Sequence, residues 1–104
     1  MSNKFVYAVS GFCLLAASQL SFAADAAAGK AKAAMCNSCH GMDGIGTQPT
    51  YPNLAGQKAE YITQTLKGFK SGERKNAIMN AMAAPLSDAD IDNLAAHFSG
   101  LGCK

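Results

Sequence analysis

The chain has 104 residues, room for one domain, and nine Lys/Arg against seven Asp/Glu give it a net charge of +2. That balance excludes a strongly basic nucleic-acid binder and an acidic disordered tail. Residues 1–23 read as a secretory signal: Lys4 supplies a positive start, Phe5 to Ala17 is an uncharged apolar run, and Ser21-Phe22-Ala23 offers small residues for cleavage after Ala23. The run is too short for an ordinary membrane span. Cys13 follows Phe12 rather than a small residue, which argues against a lipoprotein site. The expected product is a periplasmic domain over residues 24–104, with no stable membrane insertion after cleavage.

Both valines of the chain, Val6 and Val9, leave with the signal, and sixteen alanines remain after it. Such a composition disfavours a sheet and favours helices, so the fold class is all-α. Nine Leu/Ile, four Met, two Phe and two Tyr remain for a core in 81 residues. Domains of this size usually add a disulfide set, a metal or a bulky cofactor.

The first helix is expected from about Asp25, as N-cap, to Cys39, with Gly29, Ala33 and Cys36 on one face that admits close approach of another helix. Gly41 to Gln57 is rich in Gly and Pro and has no periodicity; a seventeen-residue loop is too long for a passive connector and reads as a segment that wraps something. Ala59 to Phe69 reads as a helix with Ile62, Leu66 and Phe69 on one side, stopped at Ser71-Gly72. A short helix is expected within Glu73 to Pro85. Ser87-Asp88-Ala89-Asp90 resembles a capping box with Asp in place of Glu. Ile91, Leu94, Ala95, Phe98 and Leu101 then follow at helical spacing, and Gly100 ends the helix.

Between the first helix and the long loop lies Cys36-Asn37-Ser38-Cys39-His40, a C-x-x-C-H run. This is the attachment pattern of c-type haem. Two thiols at i and i+3 reach the two vinyl groups of one porphyrin, and the adjacent imidazole faces the iron. Three other readings compete. A structural disulfide does not require His40. A thioredoxin-like pair needs a preceding strand. A zinc site needs four ligands, and only His97 and Cys103 are left over.

With this motif the chain resembles the class I c-type cytochromes, which place C-x-x-C-H at the end of a first helix, continue with a Pro-containing loop and finish with a helix crossing the first. Pro52-Asn53-Leu54-Ala55-Gly56 matches the P-N-L-x-G stretch of that family, and Met79…Pro85-Leu86-Ser87-Asp88…Asp90-Ile91 is most similar to the small bacterial cytochromes c-553 and the halves of dihaem cytochromes c4. The resemblance implies about four short helices wrapped around one covalently bound haem c and its iron. It implies Cys36 and Cys39 as thioethers and His40 as the proximal iron ligand, with the Pro52 carbonyl accepting the other ring N–H and Leu54 packing on the ring. Gly29 and Phe98 would meet where the terminal helices cross. The sixth ligand is Met79, eight residues before Ser87 as in those relatives, with Met82 as the alternative and as a core residue otherwise.

His97 adjoins the core stripe and is expected to face solvent. Lys67, Lys70, Arg74 and Lys75 form a basic cluster that fits either a solvated face or the steering of an acidic redox partner. Cys103 is left without an internal partner, which points to a free thiol or a Cys103-linked dimer. A His/Met iron has no open position, and its implied function is periplasmic single-electron transfer. The implied partners are redox proteins such as a quinol-cytochrome c reductase, a terminal oxidase or a periplasmic reductase, with no nucleic acid and no reaction on a substrate of its own. The rival is a haem enzyme or ligand-binding protein with an open sixth site, a peroxidase or gas sensor, for which His97 is the lone distal candidate.

Overall fold

The structure, a computed structural model, describes residues 23–102; the signal segment before Ala23 and the thiol of Cys103 lie outside the described residues. Among the described residues five α-helices follow in order: α1 (Ala26–Lys32), α2 (Asn37–His40), α3 (Ala59–Ser71), α4 (Ala77–Ala83) and α5 (Asp88–Ser99). A 3-10 turn, Ala33–Met35, joins α1 to α2, and no strand occurs among the described residues. The sequence pattern gave one helix from Asp25 to Cys39. The chain instead tightens for one turn at Ala33–Met35, where no Gly or Pro marks the change.

Local chemistry starts or stops each helix. The Asp25 carboxylate accepts the Ala27 and Ala28 N–H groups at 2.9 and 3.1 Å, satisfying two otherwise orphaned donors. Gly72, at φ 83°, takes the left-handed conformation that ends α3. Asn76 caps α4 through the Met79 N–H. Ser87 and Asp90 form a reciprocal capping box, each side chain bonded to the other's backbone N–H at 3.0 Å. The Ser87 backbone N–H, first of all, holds the Asp90 carboxyl below the usual range.

Packing centres on α5. Ile91, Leu94, Ala95 and Phe98 are almost fully buried, and α3 brings Ile62 and Phe69 against them. The α1–α5 crossing is the most extensive helix contact and α3–α5 the next. At the crossing the Asp25 N–H donates to Asn93 Oδ1 at 2.8 Å, tying the start of α1 to α5. A Cβ on Gly29 would lie 1.9 Å from the Asn93 carbonyl oxygen and 3.0 Å from His97 Cβ. The nearest approach to Gly29 is thus made by Asn93 and His97. Asn93 and His97 are four residues apart and share the crossing face, whereas Phe98 is turned a further residue toward the core. Gly29→Ala is expected to force the helices apart and cost about 1–3 kcal/mol or more, read from the denaturant unfolding midpoint of the haem-loaded protein.

The same crossing corrects the expectation for His97. It is only 8% exposed, covered by α1, with its ring 4.9 Å from that of Phe98. Burial, then the nearby Lys30 ammonium, push its imidazolium below the ordinary range. The unfolded chain thus binds this proton more readily than the folded one. No penalty exists above the unfolded value near 6.5; the penalty grows as pH falls below it. Unfolding measured at about pH 7.5 and about pH 5 should show a loss that His97→Gln reduces; an unchanged slope in that variant would assign the loss to other groups.

Candidate functional site

The C-x-x-C-H run sits on α2 and the residue before it. Cys36 and Cys39 are both free thiols and both half-buried, one helical turn apart. His40 closes the turn, its N–H donating to the Cys36 carbonyl at 2.9 Å, and is 7% exposed. Gly41 stops α2 at φ 81°; a Cβ there would meet the Ile45 carbonyl oxygen at 2.2 Å, so the chain turns sharply only because this residue is glycine.

The long loop then doubles back. Thr47 donates its N–H and its hydroxyl to the Cys39 carbonyl at 3.0 and 3.1 Å. The Leu54 and Ala55 N–H groups both donate to the Gly44 carbonyl, at 2.7 and 3.0 Å. Asn53 Oδ1 accepts the Gly46 N–H at 2.8 Å, and Gly56 donates to the Phe98 carbonyl of α5 at 3.0 Å. These pairs pin the loop to α2, to itself and to the core. They place the Pro52 carbonyl oxygen 2.9 Å from His40 Nδ1. A carbonyl only accepts, so Nδ1 carries the ring proton and Nε2 keeps the lone pair. The ring of Tyr51 lies beside His40, centroids 6.4 Å apart.

Leu54 is half-buried and packs on the hydrophobic core, as do Met35 and Cys36. Met79 does the same from α4. Met82, three residues on, is also half-buried but is not among the side chains packed against that core. Met42 is 81% exposed. The basic cluster is less uniform than its sequence: Lys70 Nζ bonds the Leu86 carbonyl, and Arg74 lies over the Phe69 ring at 5.0 Å and 3.5 Å from the Tyr61 hydroxyl. Lys67 and Lys75 are exposed. Sequence reasoning missed the Asn53 and Thr47 ties, because contacts across a loop follow no period.

The donor set fits a covalently tethered haem. Two thiols one turn apart match two vinyl groups, and an imidazole with its proton fixed on Nδ1 offers Nε2 to a metal. Burial, then the neighbouring Cys39, push the Cys36 thiol up. Asn37 Oδ1, between the two cysteines in sequence, is the one buried side-chain polar atom without a hydrogen-bond partner among the described residues. An orphaned acceptor at that point is the mark of packing that the polypeptide alone does not complete.

Comparison with known proteins agrees with this chemistry. The cytochrome c family model matches residues 26–101. The chain is 49% identical over 80 residues to cytochrome c-554(548) of Halomonas halodenitrificans, covering 74% of this chain and 96% of that protein. It is 44% identical over 76 residues to the thiosulfate dehydrogenase electron acceptor of Thiomonas intermedia, covering 72% of this chain but 35% of that one. The crystal structure of reduced recombinant cytochrome c4 from Pseudomonas stutzeri superposes with a TM-score of 0.72 at 41% identity, over 76% of this chain and 46% of that one. The chain thus spans nearly all of a small relative and under half of the larger ones. The all-helical fold is that of the class I cytochromes. The tethering turn, the pinned loop behind its histidine and these relatives lead to one conclusion: the chain belongs to the cytochrome c family and is an electron-transfer protein carrying covalently bound haem c at Cys36 and Cys39.

Proposed function

We propose that the chain is a periplasmic single-electron carrier in which His40 and Met79 are the axial ligands of the haem iron. The observation that carries this reading is the 2.9 Å bond from His40 Nδ1 to the Pro52 carbonyl. The bond fixes the ring's tautomer and orientation and raises the basicity of Nε2. The bound haem supplies one-electron chemistry, alternating between ferric and ferrous iron. The chain's part would be to hold His40 rigid through the pinned loop, to supply the Met79 thioether from α4, and to keep water from the site with Leu54 and the core. A soft Met ligand favours the reduced form and raises the potential.

The signal-like segment at residues 1–23 supports export, and no helix among the described residues is long and apolar enough to cross a membrane. Electrons would pass between redox proteins such as a quinol-cytochrome c reductase, a terminal oxidase or a periplasmic reductase; the Thiomonas relative, named as an electron acceptor, is in keeping with a carrier that performs no reaction of its own. Lys67 and Lys75, the cluster's cations without a structural bond given above, are the ones to steer an acidic partner.

The open-site rival relied on His97 as a distal group, and His97 lies in the α1–α5 crossing. The test is a visible and near-infrared spectrum of the oxidised and reduced protein, with and without carbon monoxide. A sulfur-to-iron band in the oxidised form and an unchanged reduced spectrum under carbon monoxide are expected. A prompt carbon monoxide shift would overturn the reading in favour of an open site.

A further inference from the structure

We infer that Asn80 is a positioning residue for the sixth ligand, acting through Met79 rather than touching the haem; this rests on the reading of Met79 as that ligand. The Asn80 side chain joins three segments. Its Nδ2 donates to the Phe69 carbonyl in the last turn of α3 and to the Arg74 carbonyl in the following turn, each at 2.8 Å. Its Oδ1 accepts the Asn76 N–H at 2.9 Å, at the cap of α4. Three of the amide's bonding positions are thereby used, and only this orientation works: a flipped amide would set its oxygen against two carbonyl oxygens.

The consequence is geometric. A mid-helix Asn usually weakens a helix by competing for the backbone. Here it bonds backbone outside its own helix and so fixes the rotation of α4 about its axis relative to α3. Met79 precedes Asn80, and a residue step turns the helix by roughly 100°. Anchoring Asn80 toward α3 therefore sets the direction of Met79. Ala83, four residues beyond Met79 and on the same side, is fully buried, so that side is the core side. The Asn76 carboxamide accepts the Met79 N–H at 2.9 Å, which links the cap, the anchor and the ligand residue in one network.

An anchor that only stabilised the fold would alter unfolding and leave ligand exchange at the iron unchanged. The experiment uses the haem-loaded protein with Asn80→Ala, and Asn80→Ser as a milder variant that keeps one donor should the alanine form not accumulate. Imidazole affinity of the oxidised protein and carbon monoxide binding by the reduced protein are measured beside the near-infrared band, with Met79→Ala as reference. Losing the bonds to the Phe69 and Arg74 carbonyls loosens the anchor enough for imidazole to bind about tenfold more tightly in Asn80→Ala, with a smaller change in Asn80→Ser and helix content retained. Unchanged imidazole affinity beside a lowered unfolding midpoint would show a merely structural residue and overturn the inference. A sulfur-to-iron band that persists in Met79→Ala would instead overturn the ligand reading, and this inference with it.

Discussion

Replacing Cys36 and Cys39 together with Ala is expected to leave no folded, protease-resistant domain. The reason lies in the apolar inventory rather than in the chemistry of sulfur. Among the described residues the buried core comprises nine, and three of them, Ala33, Ala83 and Ala95, are alanines. Around it Met35, Cys36, Leu54, Leu66, Met79 and Leu101 are only partly covered. A domain this small has little margin, because the surface it buries must offset nearly the same loss of chain entropy. The loop of residues 41–57 is pinned mainly to α2 and to itself, so without the tethered ring it encloses little apolar surface. Either single substitution is expected to lower the yield of haem-stained protein strongly, and the double substitution to abolish it. Recovery of the double variant as a compact, protease-resistant domain would mean that the helices fold on their own core and that the haem is a passenger.

What the sequence made legible was the part of the fold written in short-range chemistry. Asp25 two residues before Ala27, and Ser87 three before Asp90, announce helix starts because the capping bonds span those intervals. Ile91, Leu94, Ala95 and Phe98 show the buried face of α5 because the helical period is local. Cys36, Cys39 and His40 declare their cofactor because attachment needs that spacing. The length and composition of residues 41–57 showed a loop, and only the family resemblance pointed to the Pro52 carbonyl that lies 2.9 Å from His40. What stayed hidden depends on distant partners. His97 sits at the edge of the α5 stripe, and its burial is decided by Gly29 allowing α1 to come close. Asn80 reads as a poor helix former until the carbonyls of Phe69 and Arg74 are brought to it. The 3-10 turn at Ala33–Met35 replaces α-helix with a tighter winding of residues that suit either, and no residue type signals it.

Met79→Ala is expected to have the largest effect on the iron site of any substitution outside the attachment motif. Four methionines lie beyond the signal-like segment, and they are not equivalent. Met35 and Met42 flank the motif, and that short tether keeps them on the His40 side; Met42 is also 81% exposed. Met79 and Met82 lie about forty residues beyond His40, enough chain to pass around the ring edge to the opposite face. On α4, Met79 packs on the core with Ala83 one turn on, whereas Met82 is not among the side chains packed there. A flexible, polarizable thioether that is only partly covered by its own protein is well suited to meet a ligand. Met79→Ala should therefore abolish the sulfur-to-iron band, lower the potential, and let carbon monoxide bind a reduced haem that otherwise excludes it. Met82→Ala should leave all three unchanged and cost about 1 kcal/mol of packing at a half-buried site. The reverse pattern would move the ligand to Met82, and with it the direction in which α4 must be held. Indifference of the spectrum to both substitutions would remove methionine from the iron altogether and return the open-site enzyme or sensor as the better account of the same fold.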